Sequence, residues 1–100
     1  MNQPRCSHSS CQLAGHIYVF CGENSQWQKM NSVEKLSIDA DPNLQVSKQW
    51  EVIPATKVNA LPALCSPLSV ALNSNEIIII GGYEYNKPYV QLYDIRTDSC

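Results

Sequence analysis

Short apolar runs separated by polar turns dominate this chain, and helical spacing of apolar residues is almost absent. The clearest runs are residues 16–20 and 76–80, which are rich in β-branched and aromatic side chains, as is typical of strands buried on both faces. Each run follows a turn, at residues 14–15 and 73–75, and a weaker apolar segment precedes each turn. The pattern therefore predicts an all-β fold made of antiparallel hairpins. The predicted strands cover residues 7–13, 16–21, 33–38, 49–53, 67–72, 76–80 and 89–95.

This strand pattern occurs twice. Residues 17–22 align with residues 77–82 at an offset of 60, and residues 33–37 align with residues 90–94 at an offset of 57. A repeat of this length indicates supersecondary units that stack on one another, because a single unit cannot bury its faces alone. The sequence predicts a four-stranded unit followed by a unit with three strands. The predicted boundaries are an N-terminal flank at 1–6, a first repeat at 7–53, a connection at 54–66 and an incomplete second repeat at 67–100.

Composition and charge narrow the class of protein. The chain has 100 residues, of which 44% are hydrophobic and 16% are charged, so it has the size of one small domain and not the composition of a disordered segment. Seven basic and nine acidic residues give a net charge of -2 without a run of like charges, so we expect no nucleic-acid or membrane binding. The longest apolar run, residues 77–80, is too short to span a bilayer, and the first residues do not have the pattern of a secretion signal.

Glycines and large aromatic residues recur at matching places in the two copies. The apolar run of the second copy ends in Gly81 and Gly82, and its third strand carries Tyr93; in the first copy, Gly22 follows the apolar run and Trp50 ends the unit. An apolar strand ending in glycines, a loop, a strand with an aromatic residue and a closing Trp resemble the kelch repeat. The resemblance implies a partial kelch-type β-propeller, with one four-stranded blade followed by an incomplete second blade.

Three positions depart from the kelch pattern. Cys21 replaces the first glycine of the first copy, a short insertion lies within residues 39–50, and Cys100 stands where the closing Trp of the second copy would fall. Glycines at the end of a buried strand permit a positive φ or the close approach of another backbone segment. We expect Trp50 and Tyr93 to be buried between adjacent sheets, since their rings are large and mostly apolar.

The five cysteines bear on the redox compartment and on metal binding. Their number is odd and their spacing is not that of a disulfide framework, so we expect a reducing, cytoplasmic setting in which each packs as a small buried hydrophobe. The first hairpin also has the histidine and cysteine spacing of a zinc knuckle, with four ligands that suit tetrahedral zinc. The second copy keeps the strands without these ligands, so we expect packing and no metal, with a small zinc-binding module as an alternative. The candidate ligands are His8, Cys11, His16 and Cys21.

The resemblance implies a protein-interaction scaffold with no cofactor and no catalytic activity of its own. Motifs of nucleophilic, nucleotide-binding and metalloprotease sites are missing from the sequence. The alternative is a blade fragment of a propeller enzyme similar to galactose oxidase, with the catalytic residues elsewhere. The expected partners are an unknown protein and either the remaining blades of a longer chain or further copies of this one.

Strand direction predicts where a protein partner would bind. In an antiparallel blade, the loop after the second strand and the connection after the fourth emerge at the same end, which brings together residues 23–32, 83–88 and 54–66. Aromatic side chains beside mixed charges are common in protein interfaces, and Trp27 lies in an otherwise polar loop. The candidate partner-binding residues are Trp27, Lys29, Met30, Tyr83, Glu84 and Tyr85.

Overall fold

The structure is a computed structural model that describes residues 1–38, 49–58, 61, 66–81 and 90–100. Two antiparallel sheets make up the described part of the chain, the first with four strands in sequence order and the second with three. This confirms the all-β prediction. The strands are β1 (Ser9–Leu13), β2 (His16–Phe20), β3 (Val33–Ser37), β4 (Glu51–Val52), β5 (Pro67–Ala71), β6 (Glu76–Gly81) and β7 (Val90–Asp94), and a 3₁₀ turn spans Ala55–Lys57.

Two strands begin two residues later than predicted, for local reasons. The first predicted strand started at residue 7, but Ser7 has a φ of 53° and interrupts the ladder, which continues only as an isolated bridge between Cys6 and Glu23. The fourth was predicted over residues 49–53, but only Glu51–Val52 are strand residues, and they pair with two residues of β3. In the part of the chain that the structure describes, no helix is long and apolar enough to cross a membrane.

The strand register shows that the two sheets repeat each other residue by residue. Tyr18 faces Lys35 across the β2–β3 ladder, and Ile78 faces Leu92 across the β6–β7 ladder. The offsets of 60 and 57 predicted from the sequence are therefore those of the ladders. The first strands of the two hairpins are offset by 59, since Cys11 pairs with Tyr18 as Val70 pairs with Ile78.

The core lies between the two sheets. Tyr93 of β7 is fully buried, with its ring centroid 5.2 Å from that of Phe20 and 5.6 Å from that of Tyr18. Edge-to-face aromatic pairs of this kind stabilise by about 0.5–1.5 kcal/mol each beyond the area that they bury. Ile77 and Ile79 of β6 also belong to this core, and Val58 and Leu61 of the connection pack into the same cluster. We call these facing sides the inner faces of the two sheets.

A polar link joins the sheets beside this core. Lys35 of β3 forms an ion pair with Asp98, which follows β7, with 2.5 Å between Nζ and Oδ2. The Tyr93 hydroxyl donates a hydrogen bond to the other oxygen of Asp98 at 3.1 Å. Burial raises the pKa of the Tyr18 hydroxyl to about 12, with the negative charges of Asp98 and Glu51 adding to the effect. The core is therefore closed on this side by a carboxylate that bonds to both sheets.

The N-terminal strap, residues 1–6, crosses the outer face of the first sheet. Glu34 of β3 is completely buried there, and its carboxylate accepts hydrogen bonds from the Asn2 backbone N–H at 2.6 Å and from Arg5 Nη2 at 2.8 Å. Arg5 Nη1 also donates to the carbonyl oxygens of Cys21 and Ser32. The buried charge of Glu34 is thus paired by a segment that precedes the first strand.

The opposite side of the second sheet is uncovered by the described residues. Six of the nine exposed large hydrophobic side chains that the structure describes lie on this one side. We call it the open face, and its exposed residues are Leu68, Val70, Leu72, Ile80, Val90 and Leu92.

Candidate partner-binding site

The loop between β2 and β3 continues their ladder as a narrow hairpin. Cys21 N–H donates to the Ser32 carbonyl at 3.1 Å, and Met30 N–H donates to the Gly22 carbonyl at 2.8 Å. Glu23 forms isolated bridges with Lys29 on one side and with Cys6 on the other. The base of the loop is therefore held by backbone hydrogen bonds on both sides.

Asn24 organises the tip of the loop. Its side-chain Oδ1 accepts hydrogen bonds from the backbone N–H groups of Gln26 and Gln28, and its Nδ2 donates to Gln28 Oε1 at 2.9 Å. Its backbone carbonyl accepts the Trp27 N–H at 3.0 Å. The result is a turn followed by a residue in the left-handed region, a common hairpin loop that ordinarily has glycine at that last position.

Trp27 occupies this left-handed position, with a φ of 61°, and 76% of its surface is exposed. A side chain other than glycine costs about 1–2 kcal/mol in the left-handed conformation, and an exposed indole gains nothing from burial. The fold thus displays a large aromatic ring on a hydrogen-bonded turn.

Of the other five candidate residues, the structure describes two. Lys29 and Met30 are half-buried on the returning side of the same loop. Tyr83, Glu84 and Tyr85 lie outside the described residues. The structure therefore brings together three of the six candidates.

The loop and the connection between the sheets meet at one end of the first sheet. Asn31 Nδ2 donates to the carbonyl oxygen of Leu61 at 3.3 Å. Ser66 N–H donates to the Ser7 carbonyl at 2.7 Å, next to the start of β1. The described residues within 23–32 and 54–66 therefore share an end as strand direction predicted, whereas residues 83–88 are outside the described residues.

The end of β2 shows why glycine is favoured at its repeat positions. Cys21 and its counterpart Gly81 both have positive φ, 59° and 75°. Gly22 has a φ of 100°, and a Cβ atom there would lie 2.6 Å from the Cys6 carbonyl oxygen. Gly82 lies outside the described residues. The strand end therefore uses both properties of glycine, a positive φ and the close approach of a backbone segment.

A family model described as the kelch motif matches residues 4–56, which span the second half of the strap, the first sheet and most of the 3₁₀ turn. The chain belongs to the kelch-motif family. Its two sheets are accordingly kelch blades, the first with four strands and the second with three described strands, and the motif suggests a propeller-type protein-interaction module. The comparison with curated proteins gave no match.

The two large aromatic residues expected between the blades lie in different places. Tyr93 is fully buried between them. Trp50 is only half-buried and precedes β4, and its carbonyl accepts a hydrogen bond from Asn2 Nδ2 of the strap. The prediction was wrong for Trp50 because it lies before the two-residue strand β4 at the edge of the first sheet, where it contacts the strap on the outer face.

The cysteines also differ in their surroundings. Cys21 is completely buried, as predicted, and burial raises the pKa of both half-buried thiols, Cys11 and Cys100. Cys6 is exposed, contrary to the prediction, because it lies in the isolated bridge beyond the start of β1. Cys65 lies outside the described residues.

The zinc-knuckle residues do not converge. His16 and Cys21 lie at opposite ends of β2, about 16 Å apart at the rise of an extended strand, which is too far for one ion. His8 is exposed and Cys21 is buried. Among the described residues, no three His, Cys, Asp or Glu side chains are placed to hold a metal ion.

Sequence reasoning missed the residues that fix the blade ends. Arg5 and Glu34 form the buried pair of the strap, and Asp98 links Lys35 to Tyr93. The available signal was Glu34 itself, since a charge inside a strand of a buried sheet requires a partner. No local pattern indicates that the partner lies 29 residues earlier.

Proposed function

We propose that this chain is a protein-interaction scaffold, part of a kelch-type β-propeller without catalytic activity of its own, and that it binds a protein partner through the loop of residues 23–32. The kelch motif supports the interaction role. The described residues of the loop present one large aromatic ring beside polar and charged groups, which is how interface centres and their rims are commonly built.

The observation that carries this proposal is the conformation and exposure of Trp27. The ring is 76% exposed on a residue with a φ of 61°, so it combines an unfavourable backbone conformation with an unburied apolar surface. Natural sequences keep such locally unfavourable residues mainly at functional sites. Trp is also the residue type most often found at the energetic centre of protein interfaces.

We also propose a reducing, cytoplasmic setting. The odd number of cysteines and their spacing, which is not that of a disulfide framework, support a compartment where disulfides are not formed.

Affinity capture with the full chain tests the role of Trp27. We expect wild-type protein to retain a partner whose binding weakens by about 1–4 kcal/mol in Trp27→Ala, the usual range for a central interface aromatic. The matched control is Gln12→Ala, an exposed residue of the first hairpin at the other end of the sheet, which should bind as wild type. Equal affinity of Trp27→Ala and wild type, with both folded, would place binding elsewhere.

Fluorescence gives an independent measure of contact. The chain has two tryptophans, so Trp27 is the sole reporter in a Trp50→Phe background. Its emission should be that of a solvated indole and should shift to shorter wavelength when the captured partner is added. In a Trp27→Phe background, where Trp50 reports, the partner should cause no such shift. A shift only in the second background would contradict the proposal.

A further inference from the structure

Two rows of the open face of the second blade are apolar across all three described strands. The ladders place Leu68, Ile80 and Val90 in one row and Val70, Ile78 and Leu92 in the next. Every residue in these two rows is aliphatic, and five of the six are exposed. Exposed aliphatic side chains that cluster in this way mark an interaction surface.

The corresponding face of the first blade shows what such a face contacts. By register, the two rows correspond to Ser9–Phe20–Val33 and Cys11–Tyr18–Lys35. Those residues form the inner face of the first sheet, where Tyr18 and Phe20 pack on Tyr93 of the second. The open face is therefore the repeat counterpart of a face that another sheet covers.

The inner face of the second sheet, which covers the first sheet, also has a repeat counterpart in the chain: the outer face of the first sheet. Ile77 pairs with Tyr93 on the inner face of the second sheet, and Ile17 pairs with Leu36 on the outer face of the first. The outer face has two partly exposed aliphatic residues, Ile17 and Leu36, and Val52 at its edge is 38% exposed. Each copy thus carries both halves of a second interface of the kind that joins its own blades.

The strap does not prevent this contact. At the offset of 59 that relates the first strands, Asn2 of the strap corresponds to Leu61 of the connection. Leu61 is buried within the core cluster between the two sheets. The existing interface therefore accommodates Leu61 of the connection at the place where Asn2 of the strap would lie in the new interface.

The charges of the two surfaces are compatible within these rows; the charged residues of the open face, Glu76 and Asp94, lie in the next row, where Asp94 is paired with Arg96. The two rows of the open face carry no charged residue, and the charge within the outer face, Glu34, is neutralised by Arg5 with both side chains fully buried. Burying the two faces against each other leaves no unpaired charge from these residues, which would otherwise oppose association.

We propose that copies of this chain associate head to tail, with the outer face of the first blade of one copy packed on the open face of the second blade of the next. Such a heterologous contact repeats, and it closes into a ring when the rotation per copy allows. Since propellers have about four to eight blades, a closed ring in which each copy contributes these two blades would contain about two to four copies. This proposal is independent of the Trp27 loop and extends beyond the proposed function.

Two single variants of the full chain test the contact by sedimentation. Val70→Lys places a charge on the open face, and Val52→Lys places one on the outer face; both residues are exposed, 47% and 38%, so the variants should fold. We expect wild type to sediment as an oligomer and each variant alone as a monomer, because each has lost one of the two required faces. The equimolar mixture should form a 1:1 dimer, twice the monomer mass, which cannot grow further.

Other results would overturn the proposal. A monomeric wild-type chain would leave the open face to another occupant, such as a further blade. Oligomers that persist in Val52→Lys but not in Val70→Lys would indicate symmetric packing of two open faces, and a mixture without heterodimers would exclude the head-to-tail contact. Circular dichroism checks folding, and Leu68→Lys, at a residue 58% exposed, replaces Val70→Lys if needed. Trp27→Ala should associate as wild type, which separates this test from that of the proposed function.

Discussion

Arg5 Nη2 lies 2.8 Å from Glu34 Oε2, and both side chains are completely removed from solvent. The pair joins the strap to the third strand of the first blade, and it is the described ion pair with the least exposure. A buried charge that loses its partner is strongly destabilising, whereas the intact pair need not add much stability. The stability of the first blade therefore depends on Arg5, a residue outside its strands.

Arg5→Ala should lower the free energy of unfolding by about 3–5 kcal/mol, because the Glu34 carboxylate would remain buried without its cation. Urea denaturation measures the loss. Arg96→Ala is the matched control, since it removes an ion pair of the same 2.8 Å distance on the surface, with Arg96 62% exposed. The control should lose far less stability. Equal losses in the two variants would contradict a special role for burial.

Trp27→Gly should raise the free energy of unfolding by up to about 1 kcal/mol, because glycine accepts the positive φ of this turn without steric cost, although it also adds freedom to the unfolded chain. The same variant should bind the partner as poorly as Trp27→Ala. Thermal unfolding and affinity measured on the same preparations test both parts. A destabilised Trp27→Gly would show that the indole makes a stabilising contact within the fold.

Gly22→Ala and Gly15→Ala separate the two reasons for glycine. Both residues have positive φ, so each variant should lose about 1–2 kcal/mol from backbone strain. A Cβ at Gly22 would also meet the Cys6 carbonyl at 2.6 Å, whereas nothing lies within 4 Å of one at Gly15. Gly22→Ala should therefore be clearly the more destabilising in denaturant titrations. Similar losses would mean that the Cys6 segment moves aside easily.

Alkaline pH should destabilise the fold through Tyr18. Burial raises the pKa of its hydroxyl from the ordinary value of 10.0 to about 12, so between these values the folded state keeps a proton that the unfolded state loses. Stability from this group is complete below pH 10 and falls as the pH rises toward 12, by up to about 1.4 kcal/mol per pH unit. Burial also raises the pKa of Tyr93, with the same sign.

Tyr18→Phe is the variant that isolates this effect. Its free energy of unfolding should fall less steeply above pH 10 than that of wild type, since one of the two buried tyrosines no longer titrates. Denaturant titrations at a series of pH values above 10, with titrations at neutral pH as controls, measure how steeply the free energy of unfolding falls with pH in each protein. If the free energy of unfolding falls equally steeply in wild type and Tyr18→Phe, Tyr18 has the same pKa in the folded and unfolded states.

The strands and their repeat were predictable because both are local. A strand such as residues 77–80, or the turn before it, can be recognised from a few consecutive residues. The offset of 57 predicted from the sequence reappears in the pairing of the third strands. The exposure of Trp27 also followed from its polar neighbours, since nothing nearby in sequence could cover an indole.

The contacts that close the blades could not be predicted in the same way. Lys35 and Asp98 are 63 residues apart, and Arg5 and Glu34 are 29 apart, so each pairing exists only once the sheets are placed. The position of Trp50 depended on the length of the fourth strand, which only two pairs of residues define. Such features follow from tertiary geometry and have no periodic signal in the chain.

The residue that anchors the strap is also a cleavage site for trypsin, which cuts after Arg and Lys. Arg5 is inaccessible while it is paired with Glu34, whereas Arg96 lies exposed in a turn. Cleavage after Arg5 therefore requires the strap to detach, and its rate relative to cleavage after Arg96 reports how often this local opening occurs. Limited proteolysis therefore measures local unfolding of the first blade at the strap, without any added label.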